Sequence, residues 1–173
     1  CKDKPGAMIR DDAQIFLKGN DHPYVSRGAL KLEKGLNIFK INVEDKICLD
    51  VGASTGGFTD ILLRKGAGKI FAVDVGYGQL DWKLRNDPRV ITIERTNIRH
   101  LEKKVITENI DIAVIDVSFI SLEIVIPCVL KFMNNNRNGD FFLMSFNTPT
   151  SPSFSSFRNN MHKTLLRFCL NYY

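Results

Sequence analysis

Residues 47–58 read Ile47-Cys48-Leu49-Asp50-Val51-Gly52-Ala53-Ser54-Thr55-Gly56-Gly57-Phe58. Five residues of buried-strand character run into a glycine-rich turn, and a helix is expected from about Phe58 to Lys65. Glycines let a backbone approach a ligand closely and adopt positive φ, and a following helix points its free N–H groups at the same spot. The spacing is not the dinucleotide fingerprint, because Ser54 stands where that pattern needs a glycine. This argues against a nicotinamide dehydrogenase while keeping a nucleotide-like ligand.

The same alternation continues outward. Lys69–Val75 is expected as a second strand, with Asp74 towards its end, and Val90–Ile93 as a third. Ile110–Val117 and Gly139–Phe146 read as the fourth and fifth. Helices are expected over 79–86, over 98–108 and from a Ser121 cap to about Met133, with Pro127 kinking or splitting the last. Upstream, Ser26 can cap a helix to about Phe39 whose apolar face is Ala29, Leu32, Leu36 and Phe39. Strands alternating with helices imply an α/β fold with a mostly parallel sheet and right-handed crossovers. Ala13–Leu17 reads as a short isolated strand and Lys163–Asn171 as a helix.

In an open α/β sheet, ligands bind beyond the carboxyl ends of the strands. The residues standing there carry the chemistry. Asp74 can accept both hydroxyls of a ribose, although a lone aspartate at a strand end is often a helix cap. Asn97 could read an adenine edge or simply form a turn. Asp116 leaves a buried strand for the cleft and needs a partner, which a lysine of the 26–39 helix can supply. On that helix Arg27, Lys31 and Lys34 share a face, the usual place for solvated charge.

Composition bounds the function. The 173 residues are 44% hydrophobic and 25% charged, which suits one globular domain rather than a disordered chain. No apolar run approaches a membrane span. The net charge of +5 lies outside the middle segment: residues 1–40 hold 8 Lys/Arg against 5 Asp/Glu, and residues 41–139 hold 13 of each. A polyanion would therefore meet mainly the ends. Cys1, Cys48, Cys128 and Cys169 lack paired metal-site spacing and read as reduced thiols in a cytoplasmic protein, with no metal site indicated. A chain opening on Cys1 suggests a piece of something longer.

Four stretches, YVSRGALKLEKGL, LDVGASTGGFTD, FAVDVGYGQLDWKLR and IDVSFISL, together resemble the TlyA/hemolysin-A family of ribosomal-RNA methyltransferases, relatives of the FtsJ-type ribose 2'-O-methyltransferases. The resemblance implies a Rossmann-like, S-adenosylmethionine-dependent methyltransferase domain over 23–146. It also implies a remnant of an N-terminal RNA-binding module over 1–22, and it leaves 147–173 as an atypical tail. It implies that Gly52, Ala53, Ser54 and Gly56 line the methionine part of the cofactor. Asp74 would take the ribose, Asn97 lie near the adenine, and Tyr77 and Gln79 flank the ligand. Lys31 and Asp116 fit the catalytic lysine and aspartate, and Arg27 and Lys34 fit RNA contacts. The partner implied is ribosomal RNA or a ribosomal subunit. The family's second lysine should stand at the end of the fifth strand and a glutamate after it. Here Leu143–Pro149 has no lysine and no acid follows Asp140. That departure motivates a second reading, an RNA-binding protein that keeps the fold without the chemistry. A membrane-active hemolysin is a weaker third.

Overall fold

The structure, a computed structural model, describes residues 22–118 and 120–133 and the backbone of 142–145 and 165–168. The strand expected at 13–17 and most of the tail beyond Asn147 lie outside the described residues. Helix α1 covers Gly28–Phe39, α2 Gly57–Arg64, α3 Trp82–Arg85 and α4 Leu122–Leu130. Strand β1 covers Ile47–Val51, β2 Lys69–Val73, β3 Val90–Ile93, β4 Ile112–Ile115, β5 Phe142–Ser145 and β6 Leu165–Phe168. They form one sheet in the order β3-β2-β1-β4-β5-β6, and every neighbouring pair is parallel. This is the expected Rossmann-like α/β architecture.

The central strands are apolar on both faces because both are covered. On one face, Cys48, Ile70 and Val114 pack with Leu32 and Leu36 of α1 and Ile61 and Leu62 of α2. On the other, Leu49, Phe71 and Ile115 pack with Val125, Ile126 and Val129 of α4 and with Ile106 and Ile110. Helices α1 and α2 meet closely at Gly57, where a Cβ would collide with the Ser26 hydroxyl and lie 3.0 Å from the Ala29 nitrogen. Val25 N–H donates to the Asp60 carboxylate at 3.0 Å, and Arg64 donates to Asp60 at 2.7 Å and to the Pro23 carbonyl at 2.8 Å. The entering strap is thereby fastened along α2, which fixes where α1 begins.

Several expectations fail for identifiable reasons. Ser26 does not cap α1: Arg27 stands at the cap position without a side-chain bond, and the Ser26 side chain faces Gly57 instead. Helix α3 starts only at Trp82, because Asp81 accepts from the Lys83 N–H and sets the start there. The helix expected over 98–108 is one 3-10 turn, Ile98–His100, which ends as Leu101 turns extended into the core. Ser121 does cap α4, accepting from Glu123 N–H, and α4 continues through Pro127 as one helix with Leu122, Val125, Ile126 and Val129 buried. In place of a helix at 163–171, Leu165–Phe168 pairs with β5, where sheet pairing overrides local preference.

Candidate active site

Strand register aligns the functional residues. Val51 of β1 lies beside Val73 of β2 and Ile115 of β4, so Gly52, Asp74 and Asp116 leave the sheet at one level. Gly52 has φ +85°, and a Cβ there would lie 2.5 Å from the Asp116 carbonyl oxygen. No other residue fits where β1 and β4 come this close. Gly56, at φ +98°, would collide with Leu80 and Leu84 if it carried a Cβ. The glycine-rich turn is thus wedged between β4 and the segment leading to α3.

A cavity of about 770 Å³ opens at these strand ends. Gly52, Ser54, Asp74, Gln79, Asn97 and Asp116 all line it. Ala53 and Gly56 do not: they are buried in the turn and act on its shape. Tyr77 does not either. It is 67% exposed, and the Arg95 guanidinium lies 4.0 Å from its ring centre. Sequence reasoning missed the apolar part of the lining, Ile98, Ile120, Ile124 and Val125, and the polar Arg99 and Ser121 at its margin. The signal for Ile98 was available, as an apolar residue directly after a strand-end loop. Ile124 and Val125 could not be told from ordinary core-facing helix residues.

Asp74 binds the backbone on both sides of the cavity floor. One oxygen accepts from Ser54 N–H and the other from Gly76 N–H, each at 2.7 Å. Its carboxylate is thereby oriented, and each oxygen keeps a further lone pair for a hydroxyl donor. Asn97 uses its side-chain oxygen to cap the 3-10 turn through Arg99 N–H at 3.0 Å, so its amide N–H₂ is what it can offer a ligand. The cap reading and the ligand reading of Asn97 are compatible.

At the far side, Lys31 Nζ lies 3.5 Å from Asp116 Oδ2, with both side chains part-exposed. The pair expected from sequence is formed, and its openness makes it a weak contributor to stability. Arg27, at the cap position of α1, and Lys34, within it, are exposed. Below the turn, Asp50 is completely buried; Thr59 donates to its Oδ2 at 2.7 Å and its Oδ1 has no partner. Burial pushes its carboxyl up to about 7, aided by the Asp116 and Asp74 charges and opposed by the Thr59 hydroxyl.

The glycine-rich turn, Asp74 at the end of β2 and Asp116 beyond β4, paired with Lys31, thus stand together at the strand ends. A family model described as FtsJ-like methyltransferase matches residues 24–165, and the chain belongs to that family. It is 48% identical over 128 residues to the 16S/23S rRNA (cytidine-2'-O)-methyltransferase TlyA of Mycobacterium tuberculosis, a match covering 73% of this chain and 48% of that protein. Hemolysin A of Brachyspira hyodysenteriae is 50% identical over 128 residues, 73% of this chain and 53% of its own. A solved hemolysin-designated structure from Streptococcus thermophilus superposes with a TM-score of 0.65 at 52% identity, covering 68% of this chain and 43% of that one. The chain spans about half the length of the curated relatives it matches. Among the described residues, no helix is long and apolar enough to cross a membrane.

Proposed function

We propose that this domain transfers a methyl group from S-adenosylmethionine to a ribose 2'-hydroxyl of ribosomal RNA. The observation carrying the reading is the Lys31–Asp116 pair, whose aspartate lines the same cavity as Asp74. The residues present fit the cofactor. Asp74 offers an oriented carboxylate for ribose hydroxyls, Gly52 and Ser54 border the cavity, and Ile98 and Val117 give apolar surface for a base. The bound cofactor supplies an electrophilic sulfonium methyl.

The chain's own part is positioning and charge. A ribose hydroxyl is a poor nucleophile at neutral pH. The Lys31 ammonium beside it lowers the cost of losing its proton to solvent as the methyl is taken up, and Asp116 holds that ammonium in place. Alignment of the hydroxyl with the methyl does much of the rest. Arg27, at the cap of the same helix, and Lys34, within it, are placed to hold RNA phosphates near Lys31. A relative named as an rRNA cytidine-2'-O-methyltransferase supports the choice of substrate. Its site of action is then the cytoplasm, where ribosomes are.

Calorimetric titration with S-adenosylmethionine, with and without Asp74→Ala, tests the cofactor. Methyl transfer to ribosomal subunits, with and without Lys31→Ala, tests the chemistry. The expected result is cofactor binding lost in the first variant, and binding kept but transfer lost in the second. A folded parent that binds no cofactor refutes the proposal.

One observation favours a second reading. Ser145 stands at the end of β5, in register with Ile115 directly before Asp116, where the resemblance implies a lysine. Salt-dependent RNA binding and cofactor binding without any transfer would mark an RNA-binding protein of this fold.

A further inference from the structure

Three large apolar side chains are more exposed than any other among the described residues: Trp82 at 74%, Val75 at 69% and Tyr77 at 67%. All belong to the one segment that runs from the end of β2 into α3; Val75 lines the cavity, whereas Tyr77 and Trp82 stand outside it. Isolated exposed apolar residues are ordinary, but a cluster rimmed by charge marks an interaction surface.

The rim here is cationic. The Arg95 guanidinium lies over the Tyr77 ring. Arg95 is held there by left-handed backbone, φ +52°, and by its N–H bond to the Gly76 carbonyl at 2.9 Å. Lys83 follows Trp82, and Arg99 stands at the cavity margin. The neighbouring acids are engaged. Glu94 takes a two-pronged bond from Arg85 and the Gly78 N–H, and Asp81 caps α3. Aromatic faces interleaved with cations are what unstacked nucleotides bind, bases on the rings and phosphates on the cations.

We propose that Trp82, Tyr77 and Arg95 form a stacking surface for single-stranded RNA, on the β2–β3 side of the cavity and opposite Lys31. This rests on the RNA-methyltransferase reading and extends it. The substrate strand is gripped on both sides of the cofactor mouth, so the target must be an unpaired, splayed segment rather than a duplex. The surface also gives Tyr77 a role that the cavity does not.

Trp82 is the only tryptophan in the chain, so its fluorescence reports directly on the surface. The probe is an unstructured oligoribonucleotide of about 10 residues, within the usual span of single-strand sites. Quenching of Trp82 on titration is expected. RNA affinity, read by anisotropy of labelled RNA, should fall roughly 5- to 100-fold in Trp82→Ala, and much less in Trp82→Phe, which keeps a ring to stack on. Arg95→Gln should weaken binding and flatten its salt dependence. Cofactor affinity should stay within about twofold in all three variants, since none of these side chains lines the cavity. Unquenched fluorescence with undiminished RNA affinity in Trp82→Ala overturns the proposal. So does a change in sedimentation of the protein alone, which would make the surface a seat for protein. A parent that binds no RNA at all refutes the RNA-methyltransferase reading itself. A parent that binds RNA through Arg27 and Lys34, indifferent to Trp82, refutes only this surface.

Discussion

Replacing Asp50 with asparagine should stabilise the protein, and more so at higher pH. Asp50 is buried with one oxygen bonded to Thr59 and the other alone, and its carboxyl rises from an ordinary value near 3.8 to about 7. Between those values the folded chain holds a proton that the unfolded chain has released. Stability therefore falls as pH rises, by about 1.4 kcal/mol per pH unit, and levels off above pH 7. The full cost of keeping the acid is about 4 kcal/mol at neutral pH. Asparagine keeps an acceptor for Thr59 and carries no charge, so it behaves like the protonated acid. Urea unfolding of parent and Asp50→Asn, measured in parallel from pH 5 to pH 8, cancels the titration of all other groups. The gap between them should widen by about 3 kcal/mol over that range. In melting temperature this is roughly 6–12 °C for a chain of this size. A gap that stays flat with pH would refute the reasoning, since it would mean that Asp50 is already ionised when folded or that water reaches it.

Three other outcomes follow from the geometry. Gly52→Ala must place a Cβ 2.5 Å from the Asp116 carbonyl on left-handed backbone; strain and overlap together cost about 2–5 kcal/mol, so thermal melting should drop and cofactor titration should show at least tenfold weaker binding. Asp60→Ala removes the acceptor for both Val25 N–H and Arg64; a loss of about 2 kcal/mol and faster proteolytic cleavage within residues 22–27 are expected. Ser121→Ala deletes the α4 cap and should cost about 1 kcal/mol by urea unfolding, with Lys31 and Asp116 unaffected.

The strands were legible because burial on both faces leaves a mark that needs no partner to be seen: β1 and β3 match the sequence reading residue for residue. The strand-end residues followed from topology alone, and Lys31 meeting Asp116 followed from the family resemblance. What failed was local. Residues 98–108 read as a helix in the sequence, but Leu101 and Ile106 reach the core from irregular chain, packed with residues of α4 and β4. Ser26 had the right chemistry to cap a helix, yet the narrow crossing at Gly57 claimed its side chain. Tyr77 sat within a motif whose neighbours face the cavity, and only the turn at Gly76–Gly78 sends it outward. The apolar wall from α4 was illegible because the same residues would be apolar in any packed helix.

The strand order has a metric consequence. Asp74 and Asp116 end the two strands that flank β1, so they are held two strand spacings apart, about 10 Å. Continuous backbone hydrogen bonding of β1 to both β2 and β4 sets this interval. On the methyltransferase reading proposed above, the sheet therefore works as a ruler, setting how far a ligand held by its sugar at Asp74 can project its reactive end. A cofactor analogue lengthened between the two would carry that end past Lys31, whatever its affinity.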